Sequence, residues 1–161
     1  MPDSPIEIAT AYHEAGHAVM ALVLGRPVQR VSVKPNHLRL GQCELKRGTA
    51  RPSRDIIERE ILILLAGLAA EARHMGQYGW DAAAGDLRDV RSFTLWRAGS
   101  QKQVERLEQR MLDKAEHILN QPAHWLAVER IAEELLHQTI ISGRTARHLF
   151  ELAAAQAKIL Q

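Results

Sequence analysis

The stretch Ala11-Tyr12-His13-Glu14-Ala15-Gly16-His17-Ala18-Val19 decides how the rest of the chain is read. A helix advances by about 100° per residue, so His13 and His17, four positions apart, share one face and can offer two imidazole nitrogens to one ion. Glu14 sits just beside that face. From there its carboxylate can take a proton from a metal-activated water instead of ligating, which is why His-Glu-x-x-His on a helix points to zinc-assisted hydrolysis. Chance is the competing explanation in a chain with eight histidines. Context weakens it: the flanks are small and apolar and fall inside a helical stretch, Ile6 to Leu24, so the motif belongs to a core helix and not to a loop.

Outward from the motif, Ser4-Pro5-Ile6-Glu7 reads as a capping box with proline at the first helical position, and Leu24-Gly25 as the helix end. Val28, Val31 and Val33, then Leu40 to Leu45, predict a small hairpin or the edge of a small sheet. His37 between them reads as an exposed loop residue. Lys46 to Arg54 is basic and rich in breakers, ordinarily a solvated loop, with contact to an acidic partner as the other reading. Ser53 is expected to cap a helix whose centre, Ile61 to Ala70, is apolar nearly all round and is therefore the buried middle of the fold. Small residues on both helices (Ala66, Gly67, Ala69 and Ala70; Ala15, Gly16, Ala18 and Ala21) would let their backbones cross closely.

Glu71 ends the apolar run, either as a carboxylate aimed at the metal region or as the first solvated residue after the core. Gly76 to Gly79 breaks that helix, and Ala82 to about Arg97 predicts another, with Asp86 and Asp89 near its start, where the macrodipole favours acids in any case. Further helices are expected from Ser100 to about Leu119, from Pro122 to about Gln138 and from about Gly143. The stripe Leu107, Met111, Ala115 and Ile118 is core. His117, His124, His137 and His148 have no partner at ligand spacing and read as surface or ordinary structural residues.

The 161 residues suit one domain, 1–161. A formal net charge of +2 gives no electrostatic case for nucleic acid or an anionic membrane. The single Cys43 excludes an internal disulfide framework, and with no leader pattern and no apolar run long enough for a bilayer the expectation is a cytoplasmic protein. Aromatics at 4% favour packed helices over a sheet protein, so the fold class read here is mainly α with a small β hairpin or sheet after the first helix.

Several of these stretches, in the same order, resemble the peptidase domain of the FtsH-type ATP-dependent zinc metalloproteases. Residues 12–18 are similar to the family's zinc-binding segment, and Arg30-Val31-Ser32-Val33-Lys34-Pro35 to the strand after it. Ala66-Gly67-Leu68-Ala69-Ala70-Glu71 resembles the family's Gly-Gly-Arg-x-Ala-Glu-Glu pattern, with Leu68 and Ala72 replacing its arginine and second glutamate. Ala84-Gly85-Asp86-Leu87 falls where the family supplies an aspartate ligand, and Ile141-Ser142-Gly143 resembles the turn before its last helix. The resemblance implies Zn2+ held by His13, His17 and Asp86, Glu14 as the base and Asp89 as a bystander; its place at the end of the buried helix keeps Glu71 as either a ligand or a partner that orients an imidazole, and the second is the reading taken here.

The activity so implied is a zinc endopeptidase acting on flexible or unfolded protein segments. The family's ATPase and membrane anchor have no counterpart in this sequence, and no Gly-x-x-x-x-Gly-Lys-Ser/Thr phosphate loop occurs in it, so the expectation is ATP-independent cleavage with a separate ATPase as one candidate partner. Two alternatives stand beside it: a non-catalytic, zinc-stabilised module that binds a protein partner, and a regulatory peptidase for one specific partner.

Overall fold

Local chemistry sets the first boundary of the computed structural model, which describes residues 2–34, 42–45 and 54–160. The Ser4 hydroxyl accepts from the Glu7 amide at 3.2 Å while the Glu7 carboxylate accepts from the Ser4 amide at 2.8 Å, so two orphan donors are satisfied together. From this cap α1 runs Pro5–Val23, buried continuously from Ala11 to Ala21. The hairpin follows as expected: β1 (Val28–Ser32) pairs antiparallel with β2 (Gln42–Leu45), Val31 opposite Cys43. His37, the Ser53 cap and the basic stretch 46–53 lie outside the described residues.

The helix α2 (Arg54–Met75) supplies the centre. Ile61, Leu62, Ile63, Leu65 and Leu68 are all buried, each stabilising the fold by about 1.5–3 kcal/mol through burial. It packs on α1 through small residues, as the sequence implies. A Cβ on Gly16 would sit 2.5 Å from the Ala66 carbonyl oxygen and 2.6 Å from the Ala70 Cβ, so α1 has no room here for a side chain of its own against α2.

After α2 come α3 (Ala84–Arg97), starting two residues later than the sequence suggested, α4 (Gln101–Leu119) and α5 (Pro122–Gln138). The inward face of α4, Val104, Leu107, Met111, Leu112, Ala115 and Leu119, packs on α2, while α5 lies against α1. A third strand was not foreseen. Residues Ile140–Ser142 form β3, antiparallel to the free edge of β1 with Ile141 opposite Val31, giving the order β2-β1-β3. Three residues with one buried side chain carry too little alternation to be recognised in sequence. Ser142 then caps α6 (Gly143–Ile159), its hydroxyl accepting from the Thr145 amide at 3.1 Å. No described helix is long and apolar enough to cross a membrane.

The helix crossing yields a test. Gly16→Ala gains up to about 1 kcal/mol of helix propensity, but the new methyl meets a backbone carbonyl, and overpacking costs about 1–3 kcal/mol. Urea unfolding of the metal-free protein should therefore show a net loss of stability. Gly85→Ala, whose nearest neighbour would be the flexible Arg88 guanidinium at 3.8 Å, should be neutral or stabilising. Equal stability of the Gly16→Ala variant and the parent would mean that the helices do not approach this closely.

Candidate metal centre

The middle of α1 buries three polar side chains, His13, Glu14 and His17, at 6%, 4% and 6% exposure. Such groups are tolerated in a core only when partners surround them. One potential ligand atom from each lies within 4.8 Å of the others, a grouping able to hold a metal ion. The imidazoles meet edge to face, with centroids 4.7 Å apart.

Every ring nitrogen has a partner. His13 Nδ1 donates to Glu71 Oε2 at 3.0 Å, and His17 Nδ1 donates to the Ile63 carbonyl at 2.7 Å. A carbonyl can only accept, so the His17 proton on Nδ1 is fixed by its environment. The two Nε2 atoms turn the other way, to a single oxygen, Asp86 Oδ2, at 2.9 Å from His13 and 3.1 Å from His17. With both Nδ1 atoms tied to α2, the nitrogens left for an ion are the two that converge with a carboxylate oxygen.

Two glycines make room. A Cβ on Gly67 would lie 2.5 Å from His17 Nε2 and 2.7 Å from His13 Nε2, so the rings rest on bare α2 backbone. Gly79 does the same for Glu71, whose carboxylate occupies the place of the missing side chain. The donor set of two imidazoles and a carboxylate, with further carboxylates beside it, suits zinc.

Electrostatics follow from the same contacts. Burial alone would lower the His13 pKa, but its hydrogen bonds to Asp86 and Glu71, with the nearby Glu14 charge, carry it up to about 10. Burial likewise opposes a charged His17, yet the Asp86 charge and hydrogen bond raise its pKa above the ordinary value. For Asp86, burial acts to raise the pKa, and the two imidazoles overcome it, holding the carboxyl well below the usual carboxylate range.

The structure thus brings together His13, Glu14, His17, Glu71 and Asp86, five residues singled out in the sequence. Asp89, one turn beyond Asp86, is exposed and outside the cluster. His117, His137 and His148 are exposed, and His124 donates to the Ile118 carbonyl at 2.7 Å, an ordinary structural bond. His74 stacks on Tyr12 with centroids 3.7 Å apart. Sequence reasoning missed the Ile63 carbonyl, which has no side-chain signal, and Gly79, which looked like a helix breaker alone. Gly67 stood out only as one of a run of small residues.

No profile of a known protein family matches the chain. It is 30% identical over 143 residues, 85% of its length, to the ATP-dependent zinc metalloprotease FtsH of Acidimicrobium ferrooxidans. It is 36% identical over 74 residues, 43% of its length, to the ATP-dependent zinc metalloprotease FtsH 4 of Sorangium cellulosum. The chain spans 20% of the length of the first and 11% of the second. These similarities make it FtsH-like over part of those proteins.

The buried charge cluster sets the pH dependence of the metal-free protein. His13, with a folded pKa near 10 against 6.5 when unfolded, contributes stability that is fully present below about pH 6.5 and lost as pH rises towards 10. Asp86 is depressed, so its contribution is present above the usual carboxylate pKa and lost as pH falls through the acid range. Chemical denaturation in the presence of a chelator should therefore show greater stability at pH 6 than at pH 9.5. In Asp86→Asn that alkaline loss should shrink, and an unchanged profile in the variant would show that the imidazoles are not held by this carboxylate.

Proposed function

We propose that this chain is a zinc endopeptidase equivalent to the peptidase domain of the FtsH-type enzymes. One observation carries the proposal: His13 Nε2, His17 Nε2 and Asp86 Oδ2 converge while both Nδ1 atoms are held by α2. In this reading His13, His17 and Asp86 hold the ion and leave one position open for water or substrate. Bound zinc supplies Lewis acidity, polarising a scissile carbonyl and making water acidic enough to deprotonate near neutral pH.

The chain's own residues do the rest. Glu14, on the same helix between the two histidines and buried beside them, takes the proton of the attacking water and returns it to the departing amine. Glu71 fixes the ring orientation of His13, and the Ile63 carbonyl that of His17. The intact Glu14 favours catalysis over a purely structural zinc, which would need the ligands alone. Substrates in this reading are flexible or unfolded segments, because a peptide bond must be free of its own fold before it can reach such a site. The relatives' names include ATP dependence, and in this reading the 161 residues cleave without it.

Two experiments test the assignment. Glu14→Gln should retain zinc, measured by elemental analysis, while cleavage of an unfolded test protein falls by about 10²–10⁴-fold, the usual worth of a general base. Cleavage at the parental rate would sink the mechanism. In zinc titrations, Glu71→Gln should weaken binding by about 10- to 100-fold, as loss of an orienting partner does, and Asp86→Ala should weaken it more. Asp89→Ala should leave it unchanged. Tighter zinc retention in the Asp86 variant than in the Glu71 variant would exchange their roles.

A further inference from the structure

Away from the metal centre, the junction of α3 and α4 holds a cavity of about 660 Å³ lined by Arg97, Arg106 and Arg110 together with Gln103, Gln109 and Leu107. Arg106 and Arg110 are exposed and Arg97 is partly buried, so three cations share one open face, their repulsion screened by solvent and removed only when an anion joins them. Among the described residues none of the three has an acidic partner. The acids of α4 are engaged elsewhere: Glu108 accepts from Arg91 at 2.7 Å and from Thr94 at 3.2 Å, Glu105 from Gln101 at 3.2 Å, and Asp113 from Gln109 at 2.9 Å. Arg97 Nη1 is buried and has no hydrogen-bond partner, an arrangement that costs free energy until an acceptor arrives.

The sequence adds to the charge. Lys102, Arg106 and Arg110 recur every fourth residue, a like-charge row that weakens a helix by itself. Immediately before Arg97 in the chain, the last turn of α3 exposes Leu95 and Trp96, at 57% and 69%. Exposed tryptophan next to arginine is the composition of protein interfaces.

We propose that this cleft docks an acidic, extended peptide segment of a partner protein, through its carboxylates. Spacing favours that occupant. Arg106 and Arg110 are one turn apart, about 6 Å along the helix axis, while alternate side chains of an extended strand are about 6.6 Å apart. Carboxylates at every second position therefore meet successive guanidiniums, each able to grip one bidentately. An apolar residue at the end of the segment reaches Leu95 and Trp96. A nucleic acid needs a longer basic track than this confined group on a chain of net charge +2. The site is independent of the zinc reading, and either can fail alone.

The probe is a fluorescein-labelled dodecapeptide with glutamate at every second position and leucine at one end. Its binding is followed by fluorescence anisotropy in the Glu14→Gln background, so that cleavage does not consume it. The expected result is saturable binding that weakens with salt, and loss of about tenfold or more in affinity in Arg106→Glu/Arg110→Glu and in Arg97→Ala. The control Arg147→Glu, on the exposed face of α6, should bind as the parent does. Absence of binding, equal binding of a glutamine version of the peptide, or indifference to the three arginines would overturn the proposal. Tighter, arginine-dependent binding of an oligouridylate or of pyrophosphate would also overturn it, assigning the cleft to phosphate. Circular dichroism establishes that each variant is folded.

Discussion

Two imidazoles lying directly on the backbone of α2 are the contact on which the rest of the structure depends. They can lie there only because residue 67 has no side chain, and the helices can come that near only because residue 16 has none either. The crossing of α1 on α2 and the geometry of the cluster are therefore one constraint. Were the helices separated by an ordinary side chain, at 8–10 Å between axes, the Nδ1 atoms would lose their acceptors on Glu71 and Ile63. The apolar run from Ile61 to Ala70 supplies the burial that holds this approach in place.

Burial is also the cost. Two imidazoles and three carboxylates, Glu14 among them, are stable in a core only as a mutually compensating set, because an isolated buried charge costs several kcal/mol, about 3–5 when one partner of a pair is removed. This explains why three elements are needed: α1 supplies the rings, α2 holds their outer nitrogens and α3 brings Asp86 to the inner ones. The rings are held towards protonation and Asp86 towards ionisation by the same contacts.

What the sequence revealed depended on the reach of each interaction. His13, Glu14 and His17 were legible because their relation is set within one turn of one helix, and the Ser4–Glu7 cap for the same reason. Glu71 and Asp86 could be named as acids near helix boundaries, but residues 58 and 73 positions from His13 have no local relation to it. Packing alone decides that one faces Nδ1 and the other Nε2. The β3 strand was illegible in a different way, being created by an edge that β1 offers from more than a hundred residues away. The Ile63 contact was beyond any reading of side chains.

One helix stands apart in how it is held. Only Val90 and Thr94 are buried on α3, whose remaining ties include the Arg91–Glu108 pair and the contacts of Asp86 itself. Surface ion pairs add little to stability, so apart from the Asp86 contacts α3 is held mainly by its few buried and part-buried apolar residues. Hydrogen exchange is expected to be faster in α3 than in α1 and α2, and the inner carboxylate is carried on this least buried of the three elements. The two rings stand on deeply buried helices, and the third corner of the cluster stands on the most lightly anchored one.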